Sequence, residues 1–369
     1  MKKIKLLLVA GARPNFMKIA PLIRAIRSYN GSPEAQVKIE YFLVHTGQHY
    51  DDNMSAIFFK ELDIPDPDIN LEVGSGSHAE QTARIMLAFE PVCLRERPDW
   101  VVVVGDVNST AACSLVAAKL GIKIAHVEAG LRSFDRTMPE EINRLVTDAL
   151  ADLLLTPSED ADENLKREGI PELKIRFVGN IMIDTLVANL GKARRSRLPV
   201  RLGLKAGKFI YVTLHRPGNV DDPANLSSIM RELNHVSRRL PVVFPVHPRT
   251  RKMLDGLNDP EEEASNLMLL EPTGYHDSLW LAQKAAFVLT DSGGLQEEST
   301  YFKTPCLTLR PNTERPVTIK IGTNRLTNIE TLAADMDDIL HGRRPPGKIP
   351  KYWDGQTAGR VVKALVEAS

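Results

Sequence analysis

The chain has 369 residues, 43% of them apolar and 25% charged, with 47 Lys and Arg balanced by 47 Asp and Glu. That length exceeds one ordinary α/β domain and fits two, and the composition is that of a folded protein with sizeable cores. Zero net charge argues against nucleic acid as a partner, since such binders carry a basic face, whereas a small anion needs only a few local cations.

In chain order, Met1-Lys2-Lys3 ahead of an apolar stretch imitates a secretion signal, but the stretch is short and Arg13 interrupts it. No segment approaches the ~18 apolar residues of a membrane span, so the expectation is a soluble, cytoplasmic protein without a membrane partner. Cys93, Cys113 and Cys306 form no Cys-x-x-Cys pair and sit in apolar stretches. They read as small buried hydrophobes, not as metal or redox groups.

Apolar runs of strand length occupy residues 4–9, 41–44, 100–104, 122–127, 153–155 and 175–178, then 209–214, 242–246, 287–289 and 306–309. Most are continuous, as expected of parallel strands covered on both faces, and amphipathic segments separate them in the manner of βαβ units. The predicted fold class is α/β, with open parallel sheets in two domains. The boundary is placed after Gly179-Asn180, giving domains 1–180 and 181–355. Residues 356–369, with Val361, Val362, Leu365 and Val366 at helical spacing, are expected to pack back on the first domain. Lys192, Arg194, Arg195, Arg197 and Arg201 mark a solvated basic linker.

In open parallel sheets ligands bind at the carboxyl ends of strands, so the residues just after each run carry the chemistry. Asp291-Ser292-Gly293-Gly294 follows one strand and opens a helix. Ser292, Gly293 and Gly294 let backbone N–H groups approach a phosphate, and Glu297 or Glu298 one turn on is placed for ribose hydroxyls. A plain serine-capped turn is the alternative. Arg13 and Lys18 are complementary cations, or else surface residues. Asp106 and Glu128 follow buried strands, and Pro139-Glu140-Glu141 opens a helix. Carboxylates gathered in one cleft repel one another and raise a pKa toward neutrality, which suits proton transfer. The plainer alternatives are a turn for Asp106, an ion pair with Arg132 or Arg144 for Glu128, and helix-dipole charge for Glu140 and Glu141. Among nine histidines, His215 and His247 end strands of the second half with an arginine close behind, a pattern for anion binding or acid–base work. No spacing favours a metal site.

Taken together, Gly11-Ala12-Arg13-Pro14 through Lys18, Thr46-Gly47-Gln48-His49, Gly105-Asp106, His126 through Arg132, Pro139-Glu140-Glu141 with Asn143-Arg144, and residues 290–298 resemble the non-hydrolysing UDP-N-acetylglucosamine 2-epimerases over nearly the whole chain. The resemblance implies a GT-B-type fold of two Rossmann-like domains with parallel sheets and a central cleft, a homodimer, a UDP-sugar substrate and no cofactor. It implies epimerisation at C2 through expulsion of UDP to 2-acetamidoglucal and re-addition. Asp106, Glu128 and Glu140 become the acid–base candidates and His215 the aid to UDP departure. Arg13, Lys18, Arg132, His247, Ser292, Gly293, Gly294 and Glu298 become the substrate-binding set. Which carboxylate serves which face of the sugar stays open. Asn15 stands where the family often has Glu, and Tyr50-Asp51-Asp52 and residues 73–78 depart from the pattern of members that bind a UDP-N-acetylglucosamine activator, so that site is expected to be altered or absent. The same stretches with Arg136 are also similar to epimerases of UDP-2,3-diacetamido-glucuronate. A GT-B glycosyltransferase is the rival class.

Overall fold

A computed structural model of the chain describes residues 2–47, 64–256, 266–344 and 347–369. It divides into two compact units, Met1–Val187 with Lys351–Ser369, and Ala188–Pro350. The division falls inside the helix Ile181–Ala193, where the sequence reading puts its boundary ahead of that helix.

The first unit holds strands β1 (Lys2–Ala10), β2 (Val37–His45), β3 (Ile69–Asn70), β4 (Trp100–Val104), β5 (Lys123–Val127), β6 (Leu153–Thr156) and β7 (Ile175–Phe177). Among the described residues they form one sheet in the order β3-β2-β1-β4-β5-β6-β7, all pairs parallel. Every residue of β4 is buried, because helices cover both faces of a sheet whose strands are joined by crossovers. Leu7, Val101, Val103, Ile124 and Leu154 make the centre of one core layer. The order reverses direction between β1 and β4, which makes the loops after these two strands the rim of a topological switch point.

The second unit repeats the plan with β8 (Ile210–Thr213), β9 (Val242–Pro245), β10 (Leu267–Leu270), β11 (Phe287–Thr290), β12 (Cys306–Leu309) and β13 (Asn324–Thr327). Their order is β10-β9-β8-β11-β12-β13, again parallel throughout. Here the switch point lies between β8 and β11. Ile210, Val212, Phe244, Leu289 and Leu307 are buried in its core.

Three of these strands lie outside the ten runs read from the sequence, and two of the three lack an apolar run altogether. Edge strand β3 has only two residues. Edge strand β13 reads Asn-Arg-Leu-Thr, whereas edge strand β10, Leu-Met-Leu-Leu, is apolar but has no β-branched residue and is only partly buried at every position. An edge strand is covered less completely, so its composition is less constrained.

The C-terminal helix Thr357–Glu367 packs on the helix Arg13–Asn30 of the first unit. Asp184 caps it, accepting from the backbone N–H groups of Thr357 at 3.0 Å and Ala358 at 2.7 Å. Trp353 donates its indole N–H to the Pro157 carbonyl, and Trp100 donates its own to the Ser369 hydroxyl. The basic side chains of residues 194–201 are exposed around the short helix Leu198–Arg201, whose Leu198 is buried. All three cysteines are buried. Burial pushes the Cys93 thiol up to about 12 and the Cys306 thiol up to about 11, which leaves both inert as nucleophiles. Among the described residues no helix is long and apolar enough to cross a membrane.

Candidate active site

At the first switch point, Asn15 ties the two rims together. Its side-chain oxygen accepts from the backbone N–H groups of Gly11 and Ala12, both at 3.0 Å, and its amide donates to the Val104 carbonyl at 2.8 Å. That last bond needs a donor, which an ionised glutamate lacks, so the departure at this position follows from its role in joining β1 to β4.

Gly105 leaves β4 with φ +67. A Cβ there would meet the Lys18 ammonium nitrogen at 2.6 Å, so only glycine both turns the chain and leaves room for that side chain. Lys18 is 5% exposed and pairs with Glu128, which is 6% exposed. Glu128 sits at φ +74, its N–H and that of Ala129 both held by the Leu155 carbonyl. A glutamate kept in the left-handed region is strained, and such strain concentrates at functional sites.

Asp106 is the more open carboxylate. Its Oδ2 accepts from Arg144 Nη1 at 2.5 Å. Arg144 is 2% exposed and on its other side binds Glu141 Oε2 at 2.6 Å. Glu141 in turn holds the next loop, accepting from Ser133 N–H, Ser133 Oγ–H and Phe134 N–H. Burial alone would raise the Glu141 carboxyl; the bonds from Ser133, Arg144 and Phe134 outweigh it and hold it below the usual range. Mutual repulsion therefore does not govern this cluster as the sequence suggests. Glu128 faces Lys18, and Asp106 and Glu141 face Arg144. Glu140 is exposed on the first turn of the helix Pro139–Leu150 and takes no part in this network.

Arg132 is placed differently from its reading as a ligand contact. It is 2% exposed. Its Nη1 pairs with Asp148 at 2.7 Å, and its Nε and Nη2 grip Glu168 at 2.7 and 2.6 Å. With all three nitrogens engaged by the protein, it is committed to the interior of the unit. Asp148 also binds His126 Nδ1 at 2.6 Å, and the other ring nitrogen of His126 meets the Gly105 carbonyl at 2.8 Å. This chain buttresses the Gly105–Asp106 turn from beneath. Burial would raise the Asp148 carboxyl, but His126 and Arg132 hold it low.

At the second switch point, His215 and Arg216 follow β8 and Asp291 follows β11. Asp291 is fully buried. It accepts from the backbone N–H of His215 at 3.0 Å, that of Arg216 at 2.9 Å and the Asn219 amide at 3.0 Å. Its Oδ1 lies 2.9 Å from His215 Nδ1, while half of the His215 side chain stays exposed. A carboxylate on Nδ1 fixes ring orientation and leaves the far nitrogen for a ligand. Burial would raise the Asp291 carboxyl; His215, Arg216 and Asn219 bring it below the ordinary value. Asp291, like Asp148 in the first unit, has a place in the site that sequence reasoning does not assign. Its signal was its place at the end of a buried strand.

Ser292 is the N-cap of the helix Gly293–Phe302, and its side chain makes no capping bond. The first-turn N–H groups are thus positioned for an anion. A Cβ on Gly293 would meet Arg315 Nη1 at 2.6 Å, whereas one on Gly294 would find nothing nearer than Ser292 Oγ at 3.9 Å. Gly293 is required by its protein neighbours, and Gly294 leaves room for a ligand. Arg315 is held by Glu297 at 2.8 Å and by Glu314, which also binds Arg310. Glu298, 6% exposed, lies one turn below Gly294 on the same helix face. His247 caps the helix Pro248–Asp255, its Nδ1 accepting from Arg249 N–H at 3.3 Å. The Arg13 side chain and Gln48, His49, Tyr50, Asp51 and Asp52 lie outside the described residues.

These buried acids set an acid limit on stability. Glu141, Asp148 and Asp291 have folded values below their ordinary 4.5, 3.8 and 3.8. Their stabilisation is complete above those ordinary values and is lost as pH falls through the lower folded ones. Burial raises Asp162 and Asp184, a smaller opposing set. Urea midpoints are expected to hold steady from neutrality to about pH 5 and to drop steeply below about pH 4. A midpoint that rises on acidification through this range would contradict the assignment.

Two doubly wound units in succession, each with its polar residues gathered at a switch point, define a GT-B-type α/β protein. Residues 33–366 match the family model described as UDP-N-acetylglucosamine 2-epimerase. The UDP-N-acetylglucosamine 2-epimerase of Methanocaldococcus jannaschii is 42% identical over 98% of this chain and 99% of its own. A crystal structure of the Methanocaldococcus jannaschii enzyme in complex with UDP-GlcNAc and UDP superposes with a TM-score of 0.87 at 41% identity, covering 99% of this chain and 100% of that one. The UDP-2,3-diacetamido-2,3-dideoxy-D-glucuronate 2-epimerase of Pseudomonas aeruginosa is 41% identical over 99% of this chain and 100% of its own. The chain belongs to the UDP-N-acetylglucosamine 2-epimerase family.

Proposed function

We propose that this protein interconverts UDP-N-acetylglucosamine and UDP-N-acetylmannosamine by inverting C2, through loss of UDP and its return. The observation that carries this reading is the division of labour between the two switch points. The first presents Asp106 and Glu128, each fixed by its own buried cation. The second presents the helix N-terminus at Ser292–Gly294 beside the His215–Asp291 pair. One carboxylate takes the C2 proton while the C1–O bond to UDP breaks, leaving a C1–C2 double bond. The helix N–H groups and His215 accept the departing diphosphate charge. Return of a proton to the opposite face and of UDP to C1 gives the epimer, with no net oxidation and no added reactant. Gly294 and Glu298 fit the diphosphate and ribose, and the buried Lys18 and Arg132 act by positioning carboxylates.

The diacetamido-uronate relative matches at 41% identity against 42%, so overall similarity does not choose between the two sugars. Incubation with UDP-N-acetylglucosamine in deuterated water, followed by proton NMR, tests the reading. Formation of the manno epimer with deuterium at C2 is expected. Release of free sugar, or no exchange of the C2 proton while UDP binds, would refute it, and turnover of the diacetamido uronate alone would move the assignment to that substrate.

A further inference from the structure

Phe134 is 73% exposed and sits at φ +59. A large aromatic side chain in the left-handed backbone region is disfavoured twice, by its backbone and by its exposure. The protein nevertheless ties down the backbone that carries it. Phe134 N–H donates to Glu141 Oε1 at 2.9 Å, and Ser133 donates both its N–H and its hydroxyl to Glu141 Oε2 at 3.0 Å. Beyond it, Asp135 Oδ1 accepts from the Thr137 N–H at 3.0 Å and hydroxyl at 2.6 Å. Glu141 is itself clamped by Arg144, whose Nη1 grips Asp106. One buried guanidinium therefore fixes the candidate acid–base carboxylate and the loop that carries the exposed ring. The loop also continues directly from Glu128 at the end of β5.

We infer that Phe134 is a substrate-binding residue whose ring packs against the C–H face and acetamido methyl of the hexosamine. This rests on the epimerase reading above and names a sugar contact that strand-end reasoning passes over. An apolar sugar face is the chemistry that recognises an exposed aromatic ring on a fixed backbone. Packing alone would not call for Phe here, since glycine satisfies the same backbone with less strain.

The test compares Phe134→Gly, Phe134→Ala and Phe134→Tyr by calorimetric titration with UDP and with UDP-N-acetylglucosamine. The Gly variant should melt at or above the wild-type temperature, bind UDP unchanged and bind the UDP-sugar about tenfold more weakly, with Tyr restoring affinity. Equal affinity of Gly variant and wild type for the UDP-sugar would overturn the inference. So would a parallel loss of UDP affinity, or a loss that tracks dissociation of an oligomer on size exclusion, since the ring would then serve the fold or a subunit contact. The titration reads binding, so it decides the role of Phe134 even where the wild type fails to epimerise, a failure that would count against the epimerase reading instead.

Discussion

Asp106→Asn is expected to lower epimerisation by about 10³-fold or more, the usual contribution of a positioned acid–base group. UDP affinity should change little. The substitution preserves shape and can still accept a bond from Arg144 Nη1, and Arg144 keeps its buried pair with Glu141 at 2.6 Å. The proposed diphosphate cradle also belongs to the other unit, at Ser292–Gly294. Calorimetry with UDP and an NMR turnover assay on one preparation separate the two effects. Retained turnover would remove Asp106 from the mechanism. Loss of UDP binding along with turnover would make its role structural. Glu128→Gln has a less clean expectation, because it leaves buried Lys18 without its anionic partner. Breaking such a buried pair costs about 3–5 kcal/mol, so lost activity there would mix chemistry with stability.

Asp291→Asn should cost both stability and activity. Four donors converge on this carboxylate: the backbone N–H groups of His215 and Arg216, the Asn219 amide and His215 Nδ1. An asparagine offers one acceptor oxygen and turns its NH₂ toward groups that are themselves donors. With Asp291 fully buried, no water relieves the conflict, and a loss of about 3 kcal/mol is expected. His215→Gln supplies the contrast. Half of the His215 side chain is exposed, so the variant should melt close to the wild type while turnover falls. If Asp291→Asn melts normally, the converging bonds contribute little. If His215→Gln keeps full turnover, the His215–Asp291 pair has no part in UDP departure.

Much of the architecture was legible because strand signals are local. A continuous run such as residues 100–104 reports burial on both faces, and the polar residues that follow it report the carboxyl edge of a sheet. That reasoning places Asp106, Glu128, His215 and the Ser292–Gly294 turn at strand ends without reference to any contact. It also made the departure at Asn15 visible, although its purpose emerged only from the bond to Val104. The edge strands β3 and β13 escape it because half-covered strands are not held to an apolar run, and β10, Leu and Met with no β-branched residue, carries only a weak strand signal.

What the sequence determined by itself is therefore the class of fold, the family and the polar loops at the carboxyl ends of the strands. The tertiary structure alone decided how the charges pair. Lys18 meets Glu128, 110 residues away in sequence, where the sequence suggests a phosphate cation or a surface residue. Arg132 turns inward to Asp148 and Glu168, Arg144 joins Asp106 to Glu141, and Asp291 gathers the donors around His215. The physical reason is that an ion pair depends on which strand ends the sheet order brings together and on the direction each Cα–Cβ bond takes there. Burial makes the outcome selective, since an unpaired charge left inside is too costly to persist.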